Sequence, residues 1–131
     1  MLESLLTQKV KDRITSRKIT DAEGVFTFFT DRFRDLTNDI NAMDEEVVHV
    51  IKLEKEKVRF FELFEYKLEL KIEEGFIAVL KGVADKRELI GKVSFKDGYS
   101  IATFEGEEEE YLLTYDAVDR FFDRVFKPLL D

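Results

Sequence analysis

Between Phe64 and Ile72 the chain alternates without a break. Phe64, Tyr66, Leu68, Leu70 and Ile72 are apolar, and Glu65, Lys67, Glu69 and Lys71 between them are charged. A period of two is that of a β-strand, whose successive side chains leave on opposite faces. One face is therefore expected in the core and the other in water. Parallel sheets are usually covered on both faces and read as continuous apolar runs. The alternation thus predicts an antiparallel sheet with its helices on one side. It argues against the doubly wound folds that bind dinucleotides, and it leaves the charged sheet face as a candidate docking surface.

The segments on either side have a helical period. Leu2, Leu5, Leu6, Val10 and Ile14 predict a helix over residues 2–16. Thr20-Asp21-Ala22-Glu23 reads as a capping box opening a second helix. Its apolar stripe would be Phe26, Phe29, Phe33, Leu36, Ile40 and Met43. From Val47 to Leu53 a β-branched cluster predicts a strand, while residues 54–63 suit either a helical turn or a strand. Glu73-Glu74-Gly75 is expected to turn into a strand over Phe76–Leu80, followed by a loop from Gly82 to Arg87. Leu89 to Phe95 reads as a strand with Leu89, Val93 and Phe95 on one face. Asp97-Gly98 favours a hairpin because both residues tolerate positive φ. Tyr99–Phe104 returns, and an acidic turn leads into Tyr111–Thr114. A final helix from about Tyr115 to Leu130 carries Val118, Phe121, Phe122, Val125, Phe126 and Leu129. Thr114 or Asp116 could cap it, and Pro128 ends or bends it.

The expected architecture is α+β. It has two N-terminal helices, an antiparallel meander of about six strands and a C-terminal helix, with the helices packed on one face of the sheet. At 131 residues the chain suits a single domain spanning 1–131. Thirteen phenylalanines and no tryptophan imply a core built on Phe rings, each worth roughly 1.5–3 kcal/mol when fully buried.

Composition narrows function mainly by exclusion. A net charge of -8 disfavours nonspecific binding to nucleic acid or anionic lipid. The absence of cysteine removes disulfides, thiolate metal sites and thiol nucleophiles. The start of the chain lacks the basic region and apolar stretch of a signal peptide. The longest apolar run, Phe76–Leu80, is far below the roughly 20 residues of a spanning helix. A soluble, cytoplasmic protein with no membrane or nucleic-acid partner is expected. The glycines are scattered at turns and form no phosphate loop, and no nucleophile elbow is present. No catalytic residue, metal site or cofactor is predicted.

Four features remain as candidates. His49, the only histidine, could serve as a general base if a partner oriented it. Glu107, Glu108, Glu109 and Glu110 form an acidic run without the spacing of a calcium loop, and so read as a solvated tip or a docking patch for a basic partner. Lys9, Arg13 and Arg17 recur at i, i+4 and i+8 in a stretch, residues 1–20, with five basic and two acidic side chains; the other 111 residues carry 16 and 27. A net of +3 on one helix against -11 elsewhere is the most distinctive global feature. Val25 and Phe28 lie off the main stripe of the second helix and are the candidates for an exposed apolar patch, on which a homodimer could form.

These features favour a non-catalytic module that binds another protein, as an adaptor, inhibitor, immunity or chaperone-like protein. In size, acidity and terminal helices the chain is similar to small secretion chaperones and toxin-immunity proteins. That likeness is compositional, lacks the central helix usual in the chaperones, and assigns no family. Two other classes are carried as alternatives. One is a carrier of a small apolar ligand in a cavity between sheet and helix. The other is a small enzyme using His49 or a carboxylate.

Overall fold

The computed structural model describes residues 1–131. Two helices come first, α1 (Leu2–Lys18) and α2 (Ala22–Met43), and a 3-10 turn (Glu45–Val47) leads into the sheet. Seven strands follow: β1 (Val48–Leu53), β2 (Val58–Leu63), β3 (Tyr66–Glu73), β4 (Phe76–Val83), β5 (Lys86–Lys96), β6 (Tyr99–Phe104) and β7 (Glu110–Leu112). Helix α3 (Tyr115–Phe126) and a 3-10 turn (Lys127–Leu129) containing Pro128 close the chain. The strands lie side by side in chain order, every pair antiparallel. The expected α+β meander is therefore present, with seven strands rather than about six.

Phe64 is the main correction. It does not begin the alternating strand. Phe64 and Glu65 form the turn between β2 and β3, with Phe64 at φ 55 and 61% exposed. Residues 58–63, which suited either state, are strand β2. Its inward residues Arg59, Phe61 and Leu63 are odd-numbered, while those of β3, such as Leu68 and Leu70, are even. The two-residue turn reverses the parity, so Phe64 continues the β3 pattern only by coincidence of number.

The inner face of the sheet meets α2 and α3 through a layer of phenylalanines. Phe61 lies 5.4 Å from Phe33 and 5.8 Å from Phe122 between ring centroids, and Phe104 stacks on Phe121 at 4.3 Å. Tilted and edge-on pairs of this kind add about 0.5–1.5 kcal/mol each beyond the area they bury. Gly91 makes the closest approach possible: a Cβ there would lie 2.3 Å from the Thr103 carbonyl oxygen and 2.5 Å from the Phe121 ring.

Four further expectations change. The second helix is capped by Asp21, whose side chain accepts from the Gly24 N–H at 2.8 Å, and Thr20 lies outside it. Of the predicted α2 stripe, Phe26, Phe29 and Phe33 are buried, but Leu36, Ile40 and Met43 are exposed; the buried side of the helix continues through Thr37, so Leu36 lies off it, and beyond Thr37 no residue of α2 is buried. The predicted Gly82–Arg87 loop shrinks to a turn at Ala84-Asp85. In β5, Val79 pairs with Gly91 while Leu80 pairs with Leu89, so Ile90 is an extra residue. This bulge places Leu89 on the outer face and Val93 in the core, not on one shared face. The Asp97-Gly98 hairpin and the Thr114 cap, which accepts from the Ala117 N–H, are found as read.

Candidate functional site

Helix α1 is held only at its C-terminal end. The Ser16 hydroxyl donates to the Ser100 carbonyl at 2.6 Å, the Ser100 hydroxyl donates to the Ser16 carbonyl at 2.9 Å, and Ile19 enters the core. Ser16 is the one buried residue of α1. The aliphatic residues that predicted the helix are all exposed, from 37% at Ile14 to 76% at Leu2. Asp12, Thr15 and Ser16 turn toward the body, whereas Leu6, Val10 and Ile14 form a row turned away from it. The row is a narrow one, on a helix whose other sides are polar or charged and which has almost no overall apolar face. It faces solvent.

A shallow cleft of about 610 Å³ opens between α1, β7 and the start of α3. Lys9, Arg13 and Glu110 all line it, so the structure brings together three candidates that are distant in sequence. Arg120 adds a third cation, and Asp12 and Asp116 balance the charge. Such a mixed lining produces no strong field of either sign. Arg17 is exposed outside this cleft.

The acidic run divides. Glu107 is not a solvated tip: its carboxylate accepts from Arg120 at 2.5 Å, Arg124 at 2.7 Å and the Tyr111 hydroxyl at 3.2 Å. Arg120 in turn stacks 3.9 Å from the Phe104 ring centroid. The Glu109 carboxylate pushes the Tyr111 phenol up, and Arg120 opposes it. Glu110 pairs with Lys96 at 3.2 Å, and Glu108 and Glu109 are exposed.

His49 sits half-exposed on the outer face of β1, with its Nδ1 3.7 Å from the carboxylate of Glu62 across the strand pair. The apolar-patch candidates do not form a patch. Val25 is fully buried, because its side of α2 also faces the core, and Phe28 stacks on Tyr115 at 4.6 Å. Burial, then Asp31 and Asp35, push the Tyr115 phenol up. Beside it Arg32 donates to Asp119 at 2.7 and 2.8 Å, which holds its guanidinium above the ordinary arginine value.

The outer sheet face is not the bare charged surface that alternation implied. Glu69 is 5% exposed and accepts twice from Arg87, at 2.7 and 2.9 Å, while Arg87 is 50% exposed. The hydrogen bond to Glu69 pushes the Arg87 guanidinium up. Glu69 stands between Phe60 and Leu80 on the neighbouring strands. On the inner face Arg59 is buried, donating to Thr30 Oγ1 at 3.0 Å and lying 5.1 Å from the Phe26 ring centroid; its Nε has no partner.

No cluster of three or more His, Asp or Glu side chains is arranged to hold a metal, and no helix is long and apolar enough to cross a membrane. The space between sheet and helices, where an apolar ligand would sit, is occupied by phenylalanine rings. No protein-family model, curated protein or solved structure matches the chain.

Proposed function

We propose that the protein is a non-catalytic recognition module that docks onto another protein through α1. The observation that carries this is the row Leu6, Val10 and Ile14, with Leu2 and Leu5 beyond it, facing solvent on a helix fixed to the body at one end. Covering aliphatic side chains of this size contributes roughly 25 cal/mol per Å² of apolar area removed from water. A helix laid by its apolar row into a partner's groove is a common way to realise that gain. Lys9, Lys11, Arg13, Arg17 and Lys18 flank the row, so an acidic partner surface fits it. A helix of this length is marginal alone in water, and a partner would stabilise its unanchored end.

The test is affinity capture from the source cells with the wild-type chain and the double variant Leu6→Glu/Val10→Glu. Both positions are exposed, so the variant should keep the wild-type circular dichroism spectrum and melting temperature. A protein retained by wild type and lost with the variant is the expected result. An unchanged set of captured proteins would remove α1 as the docking element.

A further inference from the structure

A second exposed apolar row lies on the other side of the molecule. Leu36, Ile40 and Met43, at i, i+4 and i+7 on the end of α2, are 45%, 37% and 86% exposed. The flanks of this row are acidic, with Asp35 and Asp39 on the helix and Asp44, Glu45 and Glu46 just after it. The last turn of α2 contains no basic residue. The negative end of the helix dipole is therefore surrounded by like charge, an arrangement that a nearby cation would relieve.

We propose that α1 docks on the end of α2 in a second copy of this chain. This rests on the reading of α1 as a docking element and names its partner. The two surfaces are complementary: an aliphatic row flanked by Lys9, Arg13 and Arg17 meets an aliphatic row flanked by Asp35, Asp39 and Glu46. They match in length, since Leu6 to Ile14 and Leu36 to Met43 each span about 10–12 Å of helix at 1.5 Å per residue. The contact cannot form within one chain. Helix α1 is fixed beside β6, and the end of α2 lies beside β1 at the opposite edge of the sheet. The strands between set the two about 25 Å apart, at roughly 4.8 Å per strand. In a two-fold pair the contact forms twice, α1 of each copy on α2 of the other.

Sedimentation velocity across a concentration series tests this on three purified proteins. These are wild type, Leu6→Glu/Val10→Glu on α1, and Leu36→Lys/Met43→Lys on α2. Wild type should associate, less so in high salt, and each variant should weaken association at least about tenfold. An equimolar mixture of the two variants keeps one intact contact, α1 of the α2 variant on α2 of the α1 variant. That mixture should associate more tightly than either variant alone. A wild type that stays monomeric overturns the pairing. So does association lost in the α1 variant but retained in the α2 variant, or a mixture no tighter than its components. If wild type is monomeric while affinity capture still depends on Leu6 and Val10, the docking role of α1 stands and only the self-pairing fails. If both variants associate as tightly as wild type, neither α1 nor the end of α2 is the self-association surface.

Discussion

Removing one partner of the Glu69–Arg87 pair should cost far more than removing the other. Glu69 is 5% exposed between Phe60 and Leu80, and Arg87 is 50% exposed. Arg87→Met keeps the aliphatic stem that covers Glu69 and removes the charge that satisfies it. A carboxylate is then left dry and unpaired. Breaking a buried pair in this way costs about 3–5 kcal/mol. The half-open position of Arg87 lets some water reach the site, so we expect about 2–4 kcal/mol. Glu69→Leu leaves Arg87 free to swing into solvent and places an apolar side chain between two apolar neighbours. Its cost should lie within about 1 kcal/mol of zero, on either side. The double variant Glu69→Leu/Arg87→Met should be close to Glu69→Leu alone. Urea denaturation followed by circular dichroism at neutral pH reads all three. At roughly 3–5 °C per kcal/mol for a domain of this size, Arg87→Met should also melt some 6–20 °C below wild type. Equal losses for Arg87→Met and Glu69→Leu would refute the claim that the carboxylate is the buried member of the pair.

Three further outcomes follow from the geometry. Phe64→Gly should leave stability unchanged or raise it by up to about 1 kcal/mol, because a left-handed residue other than glycine is strained; a loss above about 3 kcal/mol in chemical denaturation would return Phe64 to the core. Gly91→Ala should cost at least about 1–3 kcal/mol, and Phe121→Leu in the same chain should not restore it, because the Thr103 carbonyl oxygen, part of the paired backbone, remains in the way. The raised Tyr115 phenol holds its proton more tightly in the folded state than in the unfolded chain, so its contribution is complete below the ordinary tyrosine value of about 10 and is lost as pH rises above it. Stability measured by denaturation at alkaline pH should fall less steeply in Tyr115→Phe than in wild type, and identical slopes would count against this.

Local patterns carried much of the fold. The period of two in β3, the period near 3.6 in α2 and α3, and the Asp97-Gly98 turn each act over a few residues, and each is visible in a short window. The turns at Lys57, Phe64 and Ala84 place ordinary residues at positive φ, so no glycine or asparagine marked them. The tertiary context, not local preference, imposes those conformations. Glu69 looked solvated because a charge between apolar residues reads the same whether water or Arg87, 18 positions away, satisfies it. The same limit applies to the candidate site. Spacing showed that α1 has an apolar row but not that the body leaves the row uncovered. Lys9, Arg13 and Glu110 meet only because α1 is anchored beside β6 and β7.

That anchor has a consequence in time. The seven strands pair in the order in which they are made, so each can join the sheet soon after it emerges. Helix α1 cannot. Its clamp joins Ser16 to Ser100, 84 residues later. At about 5–20 residues per second, the first helix waits several seconds during synthesis for its own attachment point. Docking buries Ser16 and Ile19, while Leu2, Leu5 and Leu6 stay in water after it as before it. The wait is therefore one of position rather than of burial: until β6 is made, α1 has no fixed place on the body.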